Sequence, residues 1–156
     1  MNRRKFIRNS ALSAGIISLP SYTAPSLPSL YGKKASDEVF LGNTGLKVTR
    51  MAIGTGTSGW NKQSNQTRKL GIQGLSSLLQ YAYDQGIRFW DSADQYGTHP
   101  HLREALKYLP REKIVILTKT HASTQEEMKA DLDRYRSEIG TDYIDIVLLH
   151  CMLDAN

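Results

Sequence analysis

An aspartate, a tyrosine five residues beyond it, a lysine and a histidine follow the ends of apolar runs in this chain. Asp91 follows Ile87-Arg88-Phe89-Trp90, with Tyr96 in the loop behind it; Lys119 ends a run that contains Ile-Val-Ile-Leu, and His150 ends Tyr143 to Leu149. A fifth group, Gly54-Thr55-Gly56, closes Met51-Ala52-Ile53. A lysine held beside an aspartate in a dry mouth keeps its charge, and that cation lowers the pKa of a neighbouring phenol. A phenol so tuned is a workable proton donor at neutral pH, where an unperturbed one near ~10 is sluggish. A histidine facing the same point can orient a substrate oxygen through a ring N–H. The four together suit protonation of a carbonyl oxygen as a hydride reaches its carbon. None of them is a hydride source, so the chemistry requires a redox cofactor.

The elements that must position these groups alternate between strand and helix. Val39-Phe40-Leu41 and Leu46-Lys47-Val48 flank Gly42-Asn43-Thr44-Gly45 and predict a short hairpin. Strands are expected from about Met51, Ile87, Lys113 and Tyr143. After a polar loop over 60–69, Ile72, Leu75, Leu79 and Ala82 recur at helical spacing up to Gly86. Leu102, Ala105, Leu106 and Leu109 mark a shorter helix before Pro110. The third has a capping box, either Ser123 with Glu126 or Thr124 with Glu127, a stripe of Met128, Leu132, Tyr135 and Ile139, and a stop at Gly140. The Ile-Val-Ile-Leu run predicts a strand covered on both faces. Repeated βα units of this length build a parallel sheet, either open and doubly wound or closed as a (β/α)₈ barrel. Both architectures gather their active sites at the C-terminal ends of the strands, where Gly54-Thr55-Gly56, Asp91, Lys119 and His150 fall.

The 156 residues carry a formal charge of +5, but its distribution excludes a nucleic-acid partner. Residues 1–36 hold Arg3, Arg4, Lys5, Arg8, Lys33 and Lys34 and no acid, so the remainder is close to neutral. Asn2-Arg3-Arg4-Lys5-Phe6-Ile7-Arg8, then a weakly apolar run from Ala11 to Leu19, has the form of a secretion signal. The apolar run is too short for a permanent membrane span. The paired arginines resemble a twin-arginine signal, which implies the twin-arginine export machinery as a partner and a periplasmic destination. Residues 1–36 therefore read as signal peptide and Pro/Ser-rich linker, and 37–156 as the catalytic unit. The single Cys151 forms no internal disulfide.

Phe89-Trp90-Asp91-Ser92-Ala93-Asp94-Gln95-Tyr96-Gly97 resembles the Asp-Thr/Ser-Ala-x-x-Tyr-Gly signature of the aldo/keto reductases. Leu41 to Val48 is similar to that family's N-terminal hairpin, and Ile53-Gly54-Thr55 to its first-strand exit. Thr118-Lys119 and Leu148-Leu149-His150 match its lysine and histidine positions in order. The resemblance implies a (β/α)₈ TIM barrel that uses NADPH (NADP) to reduce a small-molecule carbonyl substrate, aldehyde or ketone, to an alcohol. It also implies Tyr96 as general acid, Lys119 as the group that tunes it, Asp91 as partner of Lys119 against the nicotinamide ribose, and His150 as the orienter of the carbonyl. The Gly54-Thr55-Gly56 backbone would border the nicotinamide. After Tyr96-Gly97 the chain departs from the pattern: Thr98-His99-Pro100-His101 and Arg103 stand where the family often has a Glu and then a Gly.

Two other classes are open to the same residues. One is a non-catalytic nicotinamide-binding barrel, a sensor or a subunit. The other is a barrel hydrolase using Asp91 and Asp94, which lacks a partner carboxylate on another strand. His99, His101, His121 and Cys151 follow no closed zinc spacing, so no metal site is expected. Trp60 is a candidate for a pocket wall or for packing. A (β/α)₈ barrel takes ~250 residues, and four strands leave bare edges. The chain is therefore expected to be the N-terminal half of an exported reductase, inactive alone.

Overall fold

The computed structural model describes residues 32–151. The leader, and with it the twin-arginine reading, lies outside them. β1 (Glu38–Phe40) and β2 (Lys47–Thr49) form the antiparallel hairpin, with Val39 opposite Val48. Thr49 joins the hairpin to the main sheet, its hydroxyl oxygen accepting from Arg88 N and Phe89 N at 3.2 Å each.

The main sheet is parallel, in the order β3 (Ala52–Gly54), β4 (Phe89–Asp91), β5 (Val115–Thr120), β6 (Ile146–Leu149). Chain order and spatial order coincide, as successive βα units winding in one direction require. Helices α1 (Asn65–Asp84), α2 (His99–Leu106) and α3 (Gln125–Ile139) connect the strands. Trp90 and Ile116 are level in the register and fully buried, packed with Leu75 and Leu79 of α1, Leu102 and Ala105 of α2, Ile114, and Ile139 of α3. The opposite face of the sheet carries Asp91, level with Leu117, and Lys119 two residues further on. The two charged groups therefore emerge on the same face, at the C-terminal edge.

Several boundaries differ from those the sequence suggests. α1 begins at Asn65, inside the expected loop, because Ser64 and Thr67 make a capping box with Thr in place of the usual Glu or Gln. It breaks at Gly71, whose φ of +60 is outside the helix, and Ile72, just past the break, is 46% exposed instead of facing the core. α3 takes the Thr124–Glu127 alternative for its box, and Gly140 closes it at φ +74. β5 alternates buried Ile116, Thr118 and Thr120 with half-buried Val115, Leu117 and Lys119, so it is covered fully on the helix face alone. β6 starts at Ile146, three residues late. Arg111 captures the preceding turn, donating to Tyr143 O at 3.0 Å and Asp145 Oδ2 at 2.7 Å, and Asp145 also accepts from Ile116 N. No helix among the described residues is long and apolar enough to cross a membrane.

Candidate active site

Parallel register brings the strand exits to one rim. Lys119 Nζ is ion-paired with Asp91 Oδ1 and donates to Ser92 O at 2.9 Å. The lysine side chain is only 15% exposed, so its cation is held where water screens it poorly. The same ammonium stands 5.2 Å from the centroid of the Tyr96 ring. Tyr96 meets the His150 imidazole edge-on, ring centroids 5.6 Å apart. Asp91, Tyr96, Lys119 and His150 thus converge, although they come from three strand ends and one loop.

Tyr96 reaches this point because its loop is clasped from both sides. Asp94–Tyr96 is a single 3₁₀ turn, closed by Gly97 at φ +64. A Cβ on Gly97 would overlap the Lys62 carbonyl, so only glycine lets the two segments touch. On the outer side Asp94 accepts a two-pronged pair from Arg134 of α3, at 2.8 and 3.0 Å, and is ion-paired with Lys62. Burial alone would raise the Asp94 pKa, but Arg134 and Lys62 outweigh it and hold the carboxyl at about 2. On the inner side the Tyr96 ring lies against the backbone of Gly56 and Gly59, where any Cβ would overlap it.

Beneath the rim runs a chain of buried hydroxyls. Thr55 Oγ1 donates to Asp91 O at 3.0 Å and meets Thr98 Oγ1 at 3.0 Å; Thr98 in turn meets Ser92 Oγ at 2.6 Å. The Thr55 side chain therefore supports the Asp91 backbone from below. Gly54, level with Asp91, has open space above it, and Gly56 packs on Tyr96.

The departure at Thr98-His99-Pro100-His101 is absorbed structurally. His99 is 2% exposed and bridges Glu138 Oε2 (2.6 Å, from Nδ1) and Thr118 Oγ1 (2.8 Å, from Nε2). That contact with His99 is the largest influence lowering the Glu138 pKa. Asp94, His99 and Glu138 come close enough to invite a metal, a grouping absent from the sequence reading. Their polar atoms are already engaged by Lys62, Arg134 and Thr118. Asp94 is thus committed to Arg134 and Lys62 rather than presented as a catalytic carboxylate. Trp60 is 73% exposed beside the clasp. His121 and Gln95, which the chemistry inferred from sequence did not use, also stand at the rim. The available signal was alternation, since His121 lies two residues past Lys119, just beyond the end of β5 at Thr120.

Comparison with known proteins matches this architecture. The chain is 34% identical over 119 residues to the NADPH-dependent alpha-keto amide reductase of Saccharomyces cerevisiae, covering 72% of this chain and 38% of that protein. It is 34% identical over 92 residues to the versiconal hemiacetal acetate reductase of Aspergillus parasiticus, covering 56% and 26%. The crystal structure of a thermostable aldo-keto reductase bound to the inhibitor epalrestat superposes with a TM-score of 0.62 at 27% identity, covering 72% of this chain and 42% of that one. The chain spans about a third of the length of the curated relatives it matches. The solved relatives are (β/α)₈ barrels, and the parallel sheet of this chain matches part of such a barrel. The aldo/keto reductase family profile runs over residues 50–155, through every strand of the parallel sheet and every residue of the rim, and the chain belongs to that family.

Proposed function

We propose that this chain carries the proton-transfer side of an NADPH-dependent carbonyl reductase acting on aldehydes or ketones. The observation that carries the reading is the convergence of Lys119 on both Asp91 and the Tyr96 ring, with His150 at the ring's edge. NADPH, when bound, supplies the hydride. The rim fits a nicotinamide ribose on two counts: the space over Gly54 is open, and Lys119 engages Asp91 through Oδ1, so Oδ2 can accept from a sugar hydroxyl. Gly54 and Gly56 would border the ring, the fully buried Thr55 supporting them from below instead of facing the cofactor, and Asp91 would hold the ribose.

The residues divide the remaining work. His150 presents a ring N–H to the carbonyl oxygen and fixes its direction. The Tyr96 hydroxyl gives its proton to that oxygen as the carbon gains the hydride, leaving an alcohol and a phenolate. The Lys119 cation offsets the phenolate charge in a site where water screens little, and Asp91 keeps Lys119 in place. The yeast keto amide reductase is named for NADPH dependence, which supports the same cofactor here.

The test is loss of NADPH absorbance on mixing a panel of aldehydes and ketones with these residues joined to the remaining strands of a full (β/α)₈ barrel. Consumption coupled to alcohol formation is expected. NADPH bound tightly but never consumed would overturn the reading in favour of a sensor or subunit.

A further inference from the structure

We infer that His121, held by Gln95, is a positioning residue for His150 that sets the plane of that imidazole. His121 is an exposed residue just beyond β5 whose ring stacks on His150, centroids 4.9 Å apart and planes 24° from parallel. His150 Nδ1 is buried and has no hydrogen-bond partner among the described residues, so no bond from them at that atom orients the ring. Its orientation rests on two ring contacts, the edge of Tyr96 and the face of His121.

His121 is itself fixed by a directed pair of hydrogen bonds. The Gly59 carbonyl can only accept, so the Gln95 amide nitrogen faces it, at 3.1 Å. The Gln95 amide oxygen then faces His121 Nε2 at 2.8 Å, and an amide oxygen also only accepts. The proton of neutral His121 therefore sits on Nε2. Gln95 precedes Tyr96, so one side chain ties the loop clasping the phenol to the ring stacked on His150.

Electrostatics follow from the stack. The groups around His150 are Asp91 from β4, Tyr96 from the 3₁₀ turn, Lys119 from β5 and His121 beyond it. Burial first, then the charges of His121 and Lys119, lower the His150 pKa below the ordinary imidazole value, with Asp91 opposing. A neutral His150 has one N–H to offer an oxygen and one nitrogen to keep empty, a defined geometry for orienting a carbonyl. This assignment rests on the reading of His150 as the carbonyl orienter.

The experiment follows the histidine ring nitrogens of the ¹⁵N-histidine-labelled chain by NMR across pH, and needs no turnover. The parent is expected to show His121 as the Nε2–H tautomer, and Gln95→Leu should give a tautomer mixture. His121→Phe keeps a flat ring on the stack and removes the imidazole that can take up a proton, so the His150 midpoint should rise. A purely steric role would leave that midpoint in place in His121→Phe and would overturn the electrostatic assignment. An Nδ1–H tautomer in the parent would overturn the Gln95 assignment. A raised His150 midpoint, with no carbonyl reduction by the same residues in a full (β/α)₈ barrel, would support the pairing and overturn the reductase reading alone.

Discussion

Gly59→Ala is a sharp probe of the clasp on Tyr96, because the perturbation is one methyl group placed against the ring. The built Cβ would overlap the ring's Cδ1 edge and stand 2.8 Å from the Gly56 carbonyl oxygen, so the backbone cannot give way on one side. Restoring an ordinary contact of 3.4 Å requires the ring to retreat by roughly 1 Å. Misplacing a reacting group by that distance costs about 10²-fold in rate. The stability cost should be small, about 1 kcal/mol and at the low end for overpacking, since the half-exposed ring can move toward solvent. The assay pairs NADPH-dependent turnover of the full-barrel protein with ¹⁹F NMR of 3-fluorotyrosine, which reads the ring's environment. The expected result is a fall in kcat of about two orders of magnitude, a shifted Tyr96 resonance and a melting temperature lower by only about 2–4 °C. Full turnover with an unshifted resonance would refute the claim that the glycine backbone sets the phenol's position.

Other outcomes follow from the same geometry. Asp94→Asn should destabilise the chain by about 1–2 kcal/mol at pH 7 in urea unfolding, allowing for screening at the half-open Arg134. The folded pKa of Asp94 is depressed to about 2, so its contribution is complete above the ordinary carboxylate pKa and disappears as pH falls through about 2; the gap between parent and variant should narrow over that window. Thr98→Val should cost about 1–3 kcal/mol by leaving the buried Ser92 and Thr55 hydroxyls short of a partner, read by the same unfolding curves. For the leader, changing Arg3 and Arg4 together to Lys should retain the protein in the cytoplasm, checked by fractionation; undiminished export of the double variant would remove the twin-arginine reading.

What could be read in the sequence was the part governed by short-range pattern. Apolar runs ending in Asp91, Lys119 and His150 gave the strand exits, because a parallel sheet aligns its C-terminal ends whatever the connecting helices do. The capping box at Thr124 and the stop at Gly140 are local chemistry and stood where expected. What escaped was set by partners far along the chain. The Asp94–Arg134 pair spans 40 residues and His99–Glu138 spans 39, so neither has a spacing to recognise. The start of β6 moved because Arg111 and Asp145 compete with the strand for its first residues. The break at Gly71 was hidden because a glycine within a helical pattern is usually tolerated. At the rim, the role of Gly56 and Gly59 was invisible because what glycine provides there is the absence of a side chain.

The central claim is that Tyr96 donates the proton and Lys119 acts through it. Its most direct measurement is the kcat of Tyr96→Phe, Lys119→Met and the double variant for NADPH-dependent carbonyl reduction, each in a protein carrying the full (β/α)₈ barrel, with NADPH affinity measured alongside. Tyr96→Phe should lower kcat by about 10²–10⁴-fold while cofactor affinity changes little. The double variant should be hardly worse than either single one, since groups that act as a unit are not additive. Parental turnover by Tyr96→Phe on every carbonyl that the parent reduces, or losses that simply multiply in the double variant, would contradict the account.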